Sequence, residues 1–274
     1  MLRRDVFRDR PERLLFDTAE AAVAMRRVAG PADHRPRGGC DVSVTGGWLD
    51  YWNGDVSLYV CRRHLKAHYA ELFRHLAPLL PAEPFTLLDY GCGDALMAPA
   101  LVERGARVLL FDEAIGRRDA LAKTHGGRAG IEVIAGLDAL AGGCDVVLLI
   151  SVIQYVPEAQ LHDLLVRLRR LLRPGGRLIV GDVIDPKTGI VEDASALLRF
   201  GLGHGFFLKA AAGLLRTAGS SYRRERQRLG LSTYSPDEIA ERVRRAGFVP
   251  TRLARNIGHA THRHSLVATV PGDA

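Results

Sequence analysis

Between Phe85 and Ile184, five apolar runs alternate with helix-compatible runs, and the connections between them are short. The apolar runs are "FTLLDY", "ARVLLFD", "IEVIAG", "CDVVLLIS" and "RLIVGDVI". Strands that alternate with helices are joined by right-handed crossovers and lie parallel in one sheet. The runs are apolar throughout rather than at every second position, as strands covered on both faces must be. The chain is therefore α/β, with a doubly wound, mostly parallel sheet.

The flanks follow other patterns. Residues 1–28 read as one or two polar helices, and "GPADHRPRGG" after them reads as a linker. "SLYVCRRHLKAHYAELFRHLAPLLP" carries Leu65, Tyr69, Leu72, Phe73, Leu76 and Leu79 at helical spacing and is an amphipathic helix. After the alternation, residues 190–230 form a helical insertion. "YSPDEIAERVRRAGF" has a serine cap, a proline in its first turn and a glycine at its end. Two strand-like runs joined by a glycine- and histidine-containing turn close the chain. The organisation expected is an N-terminal extension over 1–47 and a single domain over 48–274.

Composition sets mild bounds. The chain has 274 residues and a formal net charge of +7, spread along its length without a block of like charges. Such a charge permits an anionic partner without pointing to one. The cysteines, Cys40, Cys61, Cys92 and Cys144, form no C-x-x-C pair, so no metal site or disulfide framework is expected. No secretory signal and no apolar run of about 18 residues is visible, and a cytoplasmic location is expected.

The most informative stretch is "LLDYGCGDALMAP". The first strand ends in Asp89, and Gly91 and Gly93 follow one residue apart. Glycines there let the backbone turn tightly and approach a ligand. The second strand ends at Asp112, about 20 residues on, where an acid can hold both hydroxyls of a ribose. In open parallel sheets, ligands sit beyond the carboxyl ends of the strands. A dinucleotide would bring its pyrophosphate to a loop flanked by Asp89 and Asp94, and like charges oppose that. The third glycine of a dinucleotide fingerprint is also replaced, by Ala95. A cofactor carrying an ammonium and a sulfonium would instead gain from these acids.

"LLDYGCGDA", "VLLFDEA", "GLDAL", "CDVVLLISVIQYV" and "LRPGGRLIVGDVI" together resemble the successive motifs of the class I S-adenosylmethionine-dependent methyltransferases, over about residues 85–270. The resemblance implies a Rossmann-like seven-stranded sheet ending in an antiparallel hairpin. It implies that Asp89, Gly91 and Gly93 line the methionine half of S-adenosylmethionine. It further implies that Asp112 holds the ribose, that Leu137 and Asp138 flank the adenine, and that Ser151 and Gln154 lie under the cofactor. It leaves the acceptor open.

Methyl transfer is an in-line displacement, so positioning supplies much of the barrier reduction. A base is needed only if the acceptor arrives protonated. Topology nominates Gln154 and Tyr155, Asp182, Asn256 and His259 on the acceptor side, with His259 as candidate base or else an ordinary turn histidine. Trp48, Tyr51, Trp52 and Tyr59 precede a helix carrying Arg63, His64 and His68. Tyr59 and Arg63 suit a cofactor carboxylate; a solvated basic helix face explains them equally well. The insertion at 190–230 is rich in Leu, Phe, Ala and Gly. It is expected to form two helices that close over an apolar or lipid-like small-molecule acceptor, in peripheral contact with a membrane or as an inward-facing cap. Nucleic acid is a weaker alternative acceptor, since "SVIQYV" stands where an Asn-Pro-Pro-Tyr-like motif would. A cofactor-binding scaffold without turnover is another.

Overall fold

The computed structural model describes residues 48, 52–53, 59–217 and 230–272. The expected N-terminal extension and linker, Tyr51, and the stretch 218–229 of the insertion, with Gly219, lie outside the described residues.

The sheet has seven strands: β1 (Phe85–Tyr90), β2 (Ala106–Phe111), β3 (Ile131–Val133), β4 (Cys144–Ile150), β5 (Leu172–Val183), β6 (Val249–Arg252) and β7 (His264–Thr269). Their spatial order is β3-β2-β1-β4-β5-β7-β6. β1 to β5 pair in parallel, and β7 runs antiparallel to both β5 and β6. Seven α-helices accompany them among the described residues: α1 (Arg62–Leu76), α2 (Ala98–Glu103), α3 (Ile115–His125), α4 (Glu158–Leu171), α5 (Ile190–Gly203), α6 (Phe207–Thr217) and α7 (Pro236–Arg245).

The strands alternate side chains between two cores, which is why they read as apolar throughout. Leu88, Val147, Leu178 and Val180 bury against α4 and α7 through Leu161, Leu165, Ile239 and Val243. Leu87, Val146, Leu148 and Ile179 bury on the other face against α1, α2 and α3 through Leu72, Phe73, Leu101 and Leu121. A smaller cluster of Phe200, Phe206 and Ala210 seats α5 and α6 beside Val60, Cys61 and Ala67. The expected serine cap closes α7: the Ser235 hydroxyl accepts from the Glu238 N–H, and Glu238 accepts from the Ser235 N–H.

Two boundaries differ from the sequence reading. The amphipathic helix starts at Arg62, because Cys61 is extended at φ −169°. β5 starts at Leu172, before the Pro-Gly-Gly expected to end the preceding helix. Gly175 takes a positive φ of 75° there, and the register against β4 shifts between Cys144 and Val146, so the chain stays in the sheet.

The strand order reverses at β1, whose neighbours are β2 and β4. The crevice beyond their carboxyl ends is where such sheets bind ligands.

Candidate cofactor and acceptor site

A cavity of about 1550 Å³ opens at that point. Ligand pockets usually span about 300–1,000 Å³, so this one has room for two molecules side by side.

The cofactor half is built by the β1 loop. Asp89 is buried, and burial, with the Asp112 carboxylate nearby, pushes its pKa up to about 7. Gly91 has φ +71°, and a Cβ there would lie 2.5 Å from a Val152 methyl. Gly93 has φ +56°, with the Tyr69 hydroxyl 3.2 Å from where its Cβ would stand. That hydroxyl donates to the Cys92 carbonyl at 3.3 Å and accepts from the Asp94 N–H at 3.0 Å, which fixes the loop. Asp112 accepts from the Ala114 N–H at 3.0 Å, and burial raises its pKa too.

Three non-glycine residues among those described have positive φ: Ala95 (47°), Ser151 (57°) and Asp182 (62°). They follow β1, end β4 and end β5, all at this crevice. Such a conformation costs an L-residue roughly 1–2 kcal/mol, and strain of this kind concentrates at functional sites. Ala95 thus takes, at a cost, a backbone conformation that glycine would adopt freely.

Another part of the cavity is walled by His64, His68 and His259, whose ring centroids lie 5.9–6.4 Å apart. Burial lowers all three pKa values, to about 3 for His64 and about 4 for His68; for His259 the Asp182 carboxylate partly offsets it. Three neutral imidazoles result. Behind them, Phe206 stacks on His64 at 5.0 Å and Phe200 on His259 at 4.4 Å. Among the described residues no group of His, Cys, Asp and Glu is arranged to hold a metal ion.

Asp182 accepts three side-chain hydrogen bonds. Its Oδ2 accepts from the Ser151 hydroxyl and from Arg263 Nη1, each at 2.7 Å, and its Oδ1 from Asn256 Nδ2 at 3.1 Å. Arg263 Nη2 also donates to Asp193 Oδ1 on α5 at 2.9 Å, and His262 Nε2 lies 2.9 Å from the same oxygen. Burial alone would lower the Arg263 pKa, but Asp182 and Asp193 hold it above its ordinary value.

The cavity wall includes Tyr59, Asp89, Gly91, Gly93, Asp112, Ser151, Gln154, Tyr155, Asp182 and His259. Three nominated residues are placed elsewhere. Arg63 donates to the Gly205 carbonyl at 3.1 Å, outside the cavity, while Arg62 lines it. Leu137 is fully buried in the core beneath α4. Asp138 is 96% exposed and pairs with Arg167. Tyr155, nominated for chemistry, has its ring edge-on to Trp48 at 4.9 Å and to Trp52 at 5.2 Å, as part of a wall. Asp182 lines the cavity while its carboxylate accepts from Ser151, Arg263 and Asn256.

Sequence reasoning missed Arg263, His262 and Asp193. Their contacts span 70 and 81 positions along the chain, and no local pattern marks them.

The residues fit a cationic nucleoside cofactor. Among the described residues no cation pairs with the buried Asp89 carboxyl beneath the loop. Gln154 Oε1, His259 Nδ1 and Arg263 Nε are buried on the cavity wall with no partner among the described residues.

A sheet of this order, with an acid-glycine loop after its first strand and an acid after its second, defines the class I S-adenosylmethionine-dependent methyltransferases. The chain belongs to the methyltransferase-domain family, whose model matches residues 61–253. It is 34% identical over 116 residues to a ubiquinone biosynthesis O-methyltransferase of Cereibacter sphaeroides, covering 40% of this chain and 46% of that one. It is 29% identical over 117 residues to the Xylella fastidiosa protein of the same name, over 40% of this chain and 46% of that one. The chain thus matches less than half the length of these curated relatives. Among solved structures, the pyocyanin biosynthetic protein PhzM aligns over 76% of this chain and 56% of its own, with TM-score 0.51 and 19% identity. A chain from the complex of the Haloferax volcanii Trm112 methyltransferase activator with a methyltransferase aligns over 83% of this chain and 100% of its own, with TM-score 0.54 and 15% identity. At these identities the two structures show the fold alone.

Proposed function

We propose that this chain transfers a methyl group from S-adenosylmethionine to a hydroxyl oxygen of a small-molecule acceptor. The observation that carries the reading is one cavity with two chemically distinct halves, acids and glycines on one side and neutral imidazoles on the other. The names of the partial relatives support oxygen as the acceptor atom.

When bound, S-adenosylmethionine supplies an electrophilic methyl on a sulfonium centre. Asp89 would hold its ammonium, Asp112 its ribose hydroxyls, and Gln154 Oε1 would accept from a donor of the bound pair. His259 would take the acceptor's proton as the oxygen gains the methyl. A neutral imidazole at physiological pH is the form a base needs. Asp182 and Ser151 keep the wall between the halves in shape. We assign α5 and α6 as a lid over the acceptor half, supported by Asp193 and Leu197 of α5 on the cavity wall. Exposed apolar side chains on the outside of α5 and α6 support an apolar or lipid-like acceptor met at a membrane surface.

Titration calorimetry with S-adenosylhomocysteine, and turnover of methyl-labelled cofactor against a cell extract, test this. Asp112→Ala should weaken binding at least tenfold. His259→Asn should leave binding within threefold and slow turnover by about 10²–10⁴. Wild-type protein that neither binds nor turns over would end the reading.

A further inference from the structure

Among the contacts of α5 with the strand ends, one runs through the partly buried side chain of Arg263. Arg263 stands in the connection before β7 and reaches in two directions. Nη1 binds Asp182 at the end of β5, and Nη2 binds Asp193 near the start of α5. Asp182 in turn holds Ser151 at the end of β4. Asp182 and Ser151 are both held at positive φ, so neither backbone rests in a conformation it would adopt unaided. The Asp182 N–H is fixed as well, by Asn256 Oδ1 at 3.1 Å. A continuous chain of hydrogen bonds therefore runs from the cavity wall at Ser151 to the first turn of α5.

We propose that Arg263 is a positioning residue that ties α5 to the strand ends beneath the cofactor, so that occupancy of the cofactor site and ordering of the lid helix are linked.

The guanidinium is the group this task requires. Its planar fork reaches two carboxylates at once, whereas an ammonium is a point charge that must choose one. The other tie of α5 to the hairpin, His262 on Asp193, stops short of Asp182. Phe200 on His259 and Phe206 on His64 are stacking contacts of the lid with the acceptor wall. They hold the lid down without touching Ser151 or Asp182. Linkage also works in reverse: whatever ordering the cofactor gives to α5, an ordered α5 returns to cofactor affinity.

The proposal rests on the methyltransferase reading, and the test separates the two. Amide hydrogen exchange is followed in α5 with and without saturating S-adenosylhomocysteine, in wild type, Arg263→Lys and Asp193→Asn. In wild type, the ligand should slow exchange in α5. In both variants the ligand's protection of α5 should fall at least fivefold, and by linkage affinity should fall with it by no more than that factor. Exchange in α5 without ligand should be faster in both variants than in wild type. The double variant should be no worse than the worse single one, because both remove the same bridge. Ligand protection of α5 that survives in the variants overturns the proposal, since the link then runs elsewhere. Should Arg263→Lys fail to fold, Asp193→Asn alone decides. Wild-type protein that binds no S-adenosylhomocysteine would sink the functional reading instead, and unchanged exchange of ligand-free α5 in the variants would then sink the anchor too.

Discussion

Asp89 concentrates the residue-scale chemistry. Its carboxyl lies under the glycine loop, and burial and Asp112 push its pKa up to about 7. Burial favours the neutral form, so the stability this group gives the ligand-free fold is present at low pH and lost as pH rises through about 7. A bound ammonium reverses the preference, because it interacts with the charged form. Cofactor binding below pH 7 must therefore expel a proton. Affinity for S-adenosylhomocysteine should fall about tenfold per pH unit below 7 and level off above it. Asp89→Asn should flatten that profile and bind at least tenfold more weakly at pH 8; calorimetry between pH 5.5 and 8.5 reads both. Asp89, Gly91, Gly93 and Asp112 were legible because strand ends put chemistry at predictable positions along the chain. Arg63 was not, because neighbours on a helix point about 100° apart, and it is Arg62 that lines the cavity. Arg263 and Asp193 were invisible because two distant segments make one bridge, and neither segment carries a mark of the other.

At the scale of elements, the alternation of strands and helices foretold the sheet because each strand buries both faces. The insertion was harder. Its glycines do different things. Gly205 turns the chain between α5 and α6 at φ +69°. Gly201 and Gly213 are contact points: a Cβ at Gly213 would meet a Val60 methyl at 2.3 Å, and one at Gly201 would press on Phe207 and Ala210. Phe200 and Phe206 are buried by this docking, while the outer face stays apolar. Leu202, Leu208 and Leu215 are 72%, 81% and 80% exposed. Lys209 and Arg216 are exposed on α6 as well. An apolar stripe with cations beside it suits an anionic lipid surface. Leu208→Lys with Leu215→Lys should cut sedimentation with vesicles containing anionic phospholipid at least fivefold while S-adenosylhomocysteine affinity stays within threefold. Unchanged sedimentation, or none in wild type, would remove the membrane from the account and leave the stripe to another partner.

Charge is distributed unevenly over the whole molecule. The chain carries +7 overall. Yet seven acidic side chains line the cavity against five basic ones. Two of those bases are engaged with acids of the same wall: Arg263 with Asp182 and Asp193, and Arg117 with Asp94. The cavity wall therefore carries an excess of acids within a chain that is basic overall. This separates cofactors that share an adenosine. On the proposed reading, S-adenosylhomocysteine would bring an ammonium to Asp89, where a dinucleotide would bring its pyrophosphate. A ligand that binds only the folded state at about 100 times its Kd adds about 2.7 kcal/mol of stability. For a chain of this size that should raise Tm by roughly 5–10 °C. Thermal melts should therefore show such a rise with S-adenosylhomocysteine and less than about 1 °C with NAD at equal concentration. Heparin, an anionic polymer, should leave the S-adenosylhomocysteine shift intact, because it meets only the outer surface. A larger shift with NAD would mean that the acids at the switch point do not set the choice of cofactor, and both the electrostatic reading of the loop and the role given to Asp89 would fall with it.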